Sequence, residues 1–111
     1  MKKINYTEVK AEVAEQGCKD VMIRWLITEK DGAKNFAMRL FEVGEEGYTP
    51  YHQHDWEHEV YILEGKGIVK CGDEEFECKK GDVVFVPPNE WHQFKNTGTE
   101  DFKFLCLIPY K

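Results

Sequence analysis

The sequence predicts an all-β domain, a sandwich or a barrel, and three observations predict it. Short apolar segments recur along the chain with Gly, Pro, Asn or Asp punctuation roughly every eight to twelve residues. Sustained helical periodicity is almost absent. With 41% hydrophobic and 14% aromatic residues, a chain of 111 residues is long enough to bury one core and too short for two. The expectation is a single domain over residues 1–111, with a barrel over about 20–109 and residues 1–19 as an N-terminal extension.

Residues 4–19 fit either a short helix, because Val9 and Val13 lie four apart ahead of Gly17, or an edge strand through Ile4, Tyr6 and Val9. From Val21 the pattern becomes strand through Thr28, and after a Lys30-Asp31-Gly32 turn a second strand runs from Phe36 to Val43. Gly44-Glu45-Glu46-Gly47 reads as the next turn. A strand carrying histidines follows and then Glu59 to Leu63, closed by Gly65-Lys66-Gly67. Ile68–Cys71 and Glu75–Cys78 form a hairpin through Gly72-Asp73. Val83–Val86 reads as a buried run between Gly81-Asp82 and Pro87-Pro88-Asn89; His92-Gln93-Phe94 and Phe102–Ile108 supply the last strands.

The formal charge of −6 argues against a nucleic-acid groove or an anionic membrane surface, both of which require a basic face. A small molecule is the expected ligand. Met1-Lys2-Lys3 is followed by no apolar run, and eighteen consecutive apolar residues occur nowhere, so a soluble, cytoplasmic protein is expected. Cys18, Cys71, Cys78 and Cys106 lack the spacing of a paired zinc motif and are expected as reduced, structural thiols.

The chemistry concentrates in the histidines. There are four, and His52, His54 and His58 fall at spacings of two and four, so that an extended segment turns all three to one face. His92 answers them some forty residues later. Neutral imidazole suits zinc, copper, iron and nickel, and this is a ligand spacing for one divalent first-row metal. Glu59 competes with His58 for the fourth position, because a bulge near Trp56 would shift the alternation by one residue.

These residues resemble the motifs of the cupin family. Its second motif, G-x5-P-x-G-x2-H-x3-N, is met by Gly81, Pro87, His92 and Asn96, with Asn89 where the family has glycine. Its first, G-x5-H-x-H-x3or4-E-x6-G, is met by His52, His54 and Gly65, with His58 at the usual glutamate and four rather than five residues between Gly47 and His52. The resemblance implies a double-sheet jelly-roll barrel. Segments such as Trp56-Glu57-His58-Glu59 and Pro88-Asn89-Glu90 are further similar to small four-histidine bacterial cupins, which implies manganese as the first metal and a homodimer.

Strand parity adds pocket candidates. Phe102, Phe104, Cys106 and Ile108 share one face, and Phe94 shares a face with His92. Ordinary core packing explains the same pattern. Arg39 interrupts an apolar strand: facing inward with Phe41 it would anchor a substrate carboxylate or enolate, whereas facing outward, the expected orientation, it is only solvated. Two function classes follow. One is a metal-dependent enzyme, dioxygenase-like or a related lyase or isomerase, acting on an oxygen-rich substrate chelated at open metal positions; the other is a non-catalytic module that binds or senses a small molecule.

Overall fold

A computed structural model describes residues 1–110. Among the described residues nine strands make up the regular structure: β1 (Glu12–Val13), β2 (Lys19–Ile27), β3 (Phe36–Tyr48), β4 (His58–Glu64), β5 (Lys66–Cys71), β6 (Glu74–Lys79), β7 (Val83–Val86), β8 (His92–Asn96) and β9 (Phe102–Pro109). Two short 3-10 turns, Tyr6–Glu8 and Glu29–Asp31, accompany them. All strand pairs are antiparallel. In one half β1, β2, β3, β9, β4 and β7 lie side by side; in the other β6, β5 and β8 do. The far end of β3 joins the halves, with Tyr48 opposite Lys95 of β8. The result is a curled jelly-roll barrel.

The join explains one departure from the sequence reading. Gly44–Gly47 is no turn; β3 runs through it. Between the pairs Val21↔Val43 and Lys19↔Tyr48, β2 has one intervening residue, Asp20, and β3 has four, Gly44 to Gly47. Glu46 takes a left-handed φ of 63° to absorb the excess. A bulge of this kind bends its strand, and here it carries β3 from one sheet to the other. Gly47 is required at the crossing, since a Cβ there would stand 2.7 Å from the Lys19 carbonyl oxygen.

The N-terminal segment contains no α-helix and no strand through Ile4–Val9. Its pairing is limited to Glu12↔Ile23 and Val13↔Met22 on the edge of β2. Arg24 holds the preceding residues by donating to the Val9 carbonyl at 2.7 Å.

Between the sheets lie Val21, Ile23, Phe41, Val43, Val60, Ile62, Val69, Val86, Phe94, Phe102, Phe104 and Cys106, all buried. Phe94, Phe104 and Phe41 stack in sequence, with centroids 4.7 and 5.3 Å apart. Asn96, the motif asparagine, is a structural clamp across the join: it donates to the carbonyls of Val43 (2.9 Å) and Glu100 (2.8 Å) and accepts from the Gly98 amide. The run Val83–Val86 is not buried throughout. Val86 is fully covered, but Val83 and Phe85 are 74% and 58% exposed, because β7 is an edge strand whose alternate side chains face out.

Candidate metal centre

The histidine segment departs from the expected strand. Residues 49–57 are irregular apart from a single bridge, in which the amides and carbonyls of His52 and His92 exchange hydrogen bonds at 3.1 and 2.9 Å. The segment bends at Asp55-Trp56 and enters β4 at His58. Three anchors hold it without a ladder. Thr49 exchanges hydrogen bonds with Phe94, its amide donating to the carbonyl and its hydroxyl accepting from the amide, both at 2.9 Å. Gln93 donates to the Thr49 carbonyl at 2.8 Å. The Asn89 amide donates to the His54 carbonyl at 2.6 Å.

Asn89 also accounts for the missing motif glycine. Its φ is 65°, in the left-handed region that glycine favours and asparagine tolerates better than other residues. Gln53 completes the loop once its amide is oriented to suit its neighbours, the nitrogen donating to the Asn89 carbonyl at 2.8 Å and the oxygen accepting from Trp91 Nε1 at 3.3 Å.

These anchors gather the four imidazoles around one cavity. Ring centroids lie 4.2 Å apart for His52–His54, 4.8 Å for His52–His92 and for His58–His92, and 5.3 Å for His54–His58. Potential ligand nitrogens of His52, His54 and His92 all fall within 4.8 Å of one another, so these three histidines could hold a metal ion. Two metal–nitrogen bonds of about 2.1 Å span at most about 4.2 Å, so the rings would draw inward on binding an ion. The cavity of about 40 Å³ is lined further by Glu15, Arg39, Phe41, Thr49, Phe94, Phe104 and Cys106. Since one water needs roughly 10–15 Å³, the enclosed part takes an ion and a few waters, and a larger ligand would reach the ion through the open side of the cavity.

Two of the rings are held by their second nitrogen. His92 Nδ1 lies 2.9 Å from the Glu90 carbonyl, so it carries the proton and donates, leaving Nε2 as a lone pair. His58, 6% exposed, has Nδ1 3.4 Å from Cys106 Sγ, and its Nε2 is buried with no hydrogen-bond partner. Such an atom is expensive to leave unsatisfied, and a metal ion is a partner that meets its need.

Electrostatics favour the neutral, ligating form. Burial, reinforced by repulsion from His54, His92 and Arg39, lowers the His52 pKa to about 4. Burial and the proximity of His92 and Arg39 lower that of His58 to about 3. His54 and His92 are also lowered, chiefly by burial. Neutral imidazoles in a polar nest among phenylalanines fit a divalent cation.

Glu59 lies on the other side of β4. It is exposed and lines an outer groove with Glu57, Asn35, Phe36 and Leu107. Ile108 lines that same groove and not the histidine cavity: its parity agrees with Cys106, but it sits farther along β9. Phe94, Phe104 and Cys106 are on the cavity wall. Arg39 corrects the outward reading. It is 9% exposed, stacks over Phe41 at 4.9 Å and donates from Nη2 to Cys106 Sγ at 3.0 Å, while its Nε has no partner.

Glu15 and Thr49 escaped the sequence reading. Glu15 reaches the cavity from the N-terminal extension, where it is one of several exposed acids and nothing local distinguishes it.

A curled antiparallel barrel with histidines from two segments converging on its interior is the architecture of a cupin, and the chain belongs to that family. Residues 39–108 match the Cupin domain. An uncharacterized protein of Methanocaldococcus jannaschii is 33% identical over 114 residues, 97% of this chain and 87% of that protein. The 1-methylthio-D-xylulose 5-phosphate methylsulfurylase of Rhodospirillum rubrum is 35% identical over 71 residues, 64% of this chain but only 46% of that enzyme. Among solved structures, the polyketide cyclase RemF from Streptomyces resistomycificus superposes with a TM-score of 0.94 at 39% identity, covering 100% of this chain and 80% of that one. No helix among the described residues is long and apolar enough to cross a membrane.

Proposed function

We propose that this protein is a metal-dependent enzyme that acts on a small, oxygen-rich organic substrate, with His52, His54, His58 and His92 holding one divalent first-row metal. The observation that carries the reading is the buried His58 Nε2, unpartnered and set among three other imidazoles with depressed proton affinity. Manganese, implied by the resemblance to four-histidine cupins, is the first metal to try. When bound, the ion supplies Lewis acidity toward substrate oxygen atoms at its open positions.

The chain's own groups supply the rest. Phe41, Phe94 and Phe104 exclude water from one wall, which strengthens charge interactions within the cavity. Arg39 keeps an unpartnered Nε–H, suited to an anionic substrate oxygen. Glu15, which lines the cavity, would be the carboxylate to accept a substrate proton. Likeness to a polyketide cyclase favours the lyase or isomerase branch, in which a carbonyl is polarised, over dioxygenase chemistry.

Water-proton relaxation tests the reading. Protein stripped with chelator and reloaded with manganese should enhance relaxation, and acetylacetone, a β-diketone with two chelating oxygens, should reverse part of that enhancement by displacing bound water. Failure to bind manganese or any other first-row divalent ion would remove the proposal; binding with no response to acetylacetone or to oxalate would remove the open-position chemistry.

A further inference from the structure

The second nitrogens of the two buried histidines are handled differently. His92 has the usual arrangement, Nδ1–H to a backbone carbonyl at 2.9 Å. His58 has no such carbonyl. Its Nδ1 faces Cys106 Sγ at 3.4 Å, and that sulfur is held from its other side by Arg39 Nη2 at 3.0 Å. The three residues are fixed by strand register: β9 places Cys106 directly opposite Arg39 of β3 and directly opposite Val60 of β4, two residues beyond His58. Cys106 is 3% exposed, so water does not compete for the sulfur.

We infer that Cys106 is the positioning residue for His58, its sulfur accepting the Nδ1–H hydrogen bond so that the Nε2 lone pair is presented to the metal, with Arg39 locking the sulfur in place. The inference rests on the metal reading above. A neutral imidazole carries one proton. If Nε2 is to ligate a cation the proton must sit on Nδ1, and Sγ is the acceptor available there. A thiol sulfur is a weak acceptor, but a sulfur atom has room for two donors, and the guanidinium approaches with fixed geometry. Sulfur also reaches farther than a serine oxygen would, which suits the 3.4 Å separation.

The arrangement assigns Cys106 and Arg39 a task beyond lining the cavity. Loss of the sulfur leaves a buried N–H without an acceptor and frees the ring to adopt the other tautomer, in which Nε2–H points at the ion. Loss of such outer-shell partners typically lowers metal affinity by about 10–100-fold.

The test uses the full chain as wild type, Cys106→Val, Cys106→Ser and, as a control for an ordinary buried cysteine, Cys78→Ala. Cobalt(II) affinity is measured by competition with a chromogenic chelator, the visible bands of the bound cobalt report its ligand field, and the tautomer of His58 in the zinc-loaded protein is read from long-range proton–nitrogen couplings. The expected result is affinity lowered about 10–100-fold with altered cobalt bands in Cys106→Val, partial recovery in Cys106→Ser, and no change in Cys78→Ala. In the wild type His58 should carry its proton on Nδ1. Wild-type affinity and bands in Cys106→Val, or a proton on His58 Nε2 in the zinc-loaded wild type, would overturn the inference while leaving the metal centre intact. Absence of cobalt and zinc binding by the wild type would overturn the metal reading and this inference with it. Should Cys106→Val fail to fold, the Cys106→Ser affinity and the wild-type tautomer decide.

Discussion

His58 and Glu59 are neighbours in sequence and opposites in environment. The first is buried at the cavity with an orphaned ring nitrogen; the second is exposed on the outer groove. The strand pleat makes that choice, because adjacent residues of β4 must face opposite sides. His58→Gln removes the nitrogen while keeping a side chain of similar reach, so metal affinity should fall by at least about tenfold. Glu59→Gln should leave affinity unchanged within error. Calorimetric titration of both variants with manganese or zinc checks this, and a greater loss in Glu59→Gln than in His58→Gln would exclude His58 as the ligand.

At the scale of elements, the site depends on turns that set where strands end. Gly65 separates β4 from β5 with φ +78°, and a Cβ added to it would collide with the Asp101 carbonyl oxygen. Gly65→Ala should therefore destabilise the fold by about 1–3 kcal/mol, read as a lower urea midpoint; an unchanged midpoint would show that the close approach relaxes freely. Elements dominated by local pattern were legible in the sequence. The hairpin through Gly72-Asp73 and the strand Val83–Val86 lie where turn residues and apolar runs put them. Elements set by tertiary contacts were not. Gly44 and Gly47 look like a turn, yet they permit a bulge that is defined only by the partner strand β2. Residues 52–58 look like a strand because alternate histidines face one way, but the alternation is produced by the His52–His92 bridge and the Asn89 contact. The same limit applies to Arg39. A lone cation in an apolar strand suggests solvent, and what holds it inside is a sulfur 67 residues away in sequence.

For the molecule as a whole, the gathered imidazoles set a pH dependence whose sign follows from the direction of their shifts. An unfolded histidine titrates near ~6.5, whereas in the folded protein His52 and His58 titrate at about 4 and about 3 because burial opposes their charging. Between those values the unfolded chain binds more protons than the folded one, so stability rises with pH across the window. The contribution is fully present above about pH 6.5 and is lost as the pH falls toward the folded values. Metal acts in the same direction, because protons compete for the same nitrogens and the stabilisation conferred by a bound ion shrinks as they win. Urea unfolding of metal-free protein at several pH values between about 4 and 7 should show stability declining on acidification, with a shallower decline in the His52→Gln, His58→Gln double variant. Carboxylates such as Asp31, held low by Lys2, add acid sensitivity of the same sign, but they are common to both proteins and cancel in the comparison. Equal slopes in wild type and double variant would mean that the histidines charge freely in the folded state. A nest that accepted protons so readily would not be the desolvated neutral cluster that a cation needs.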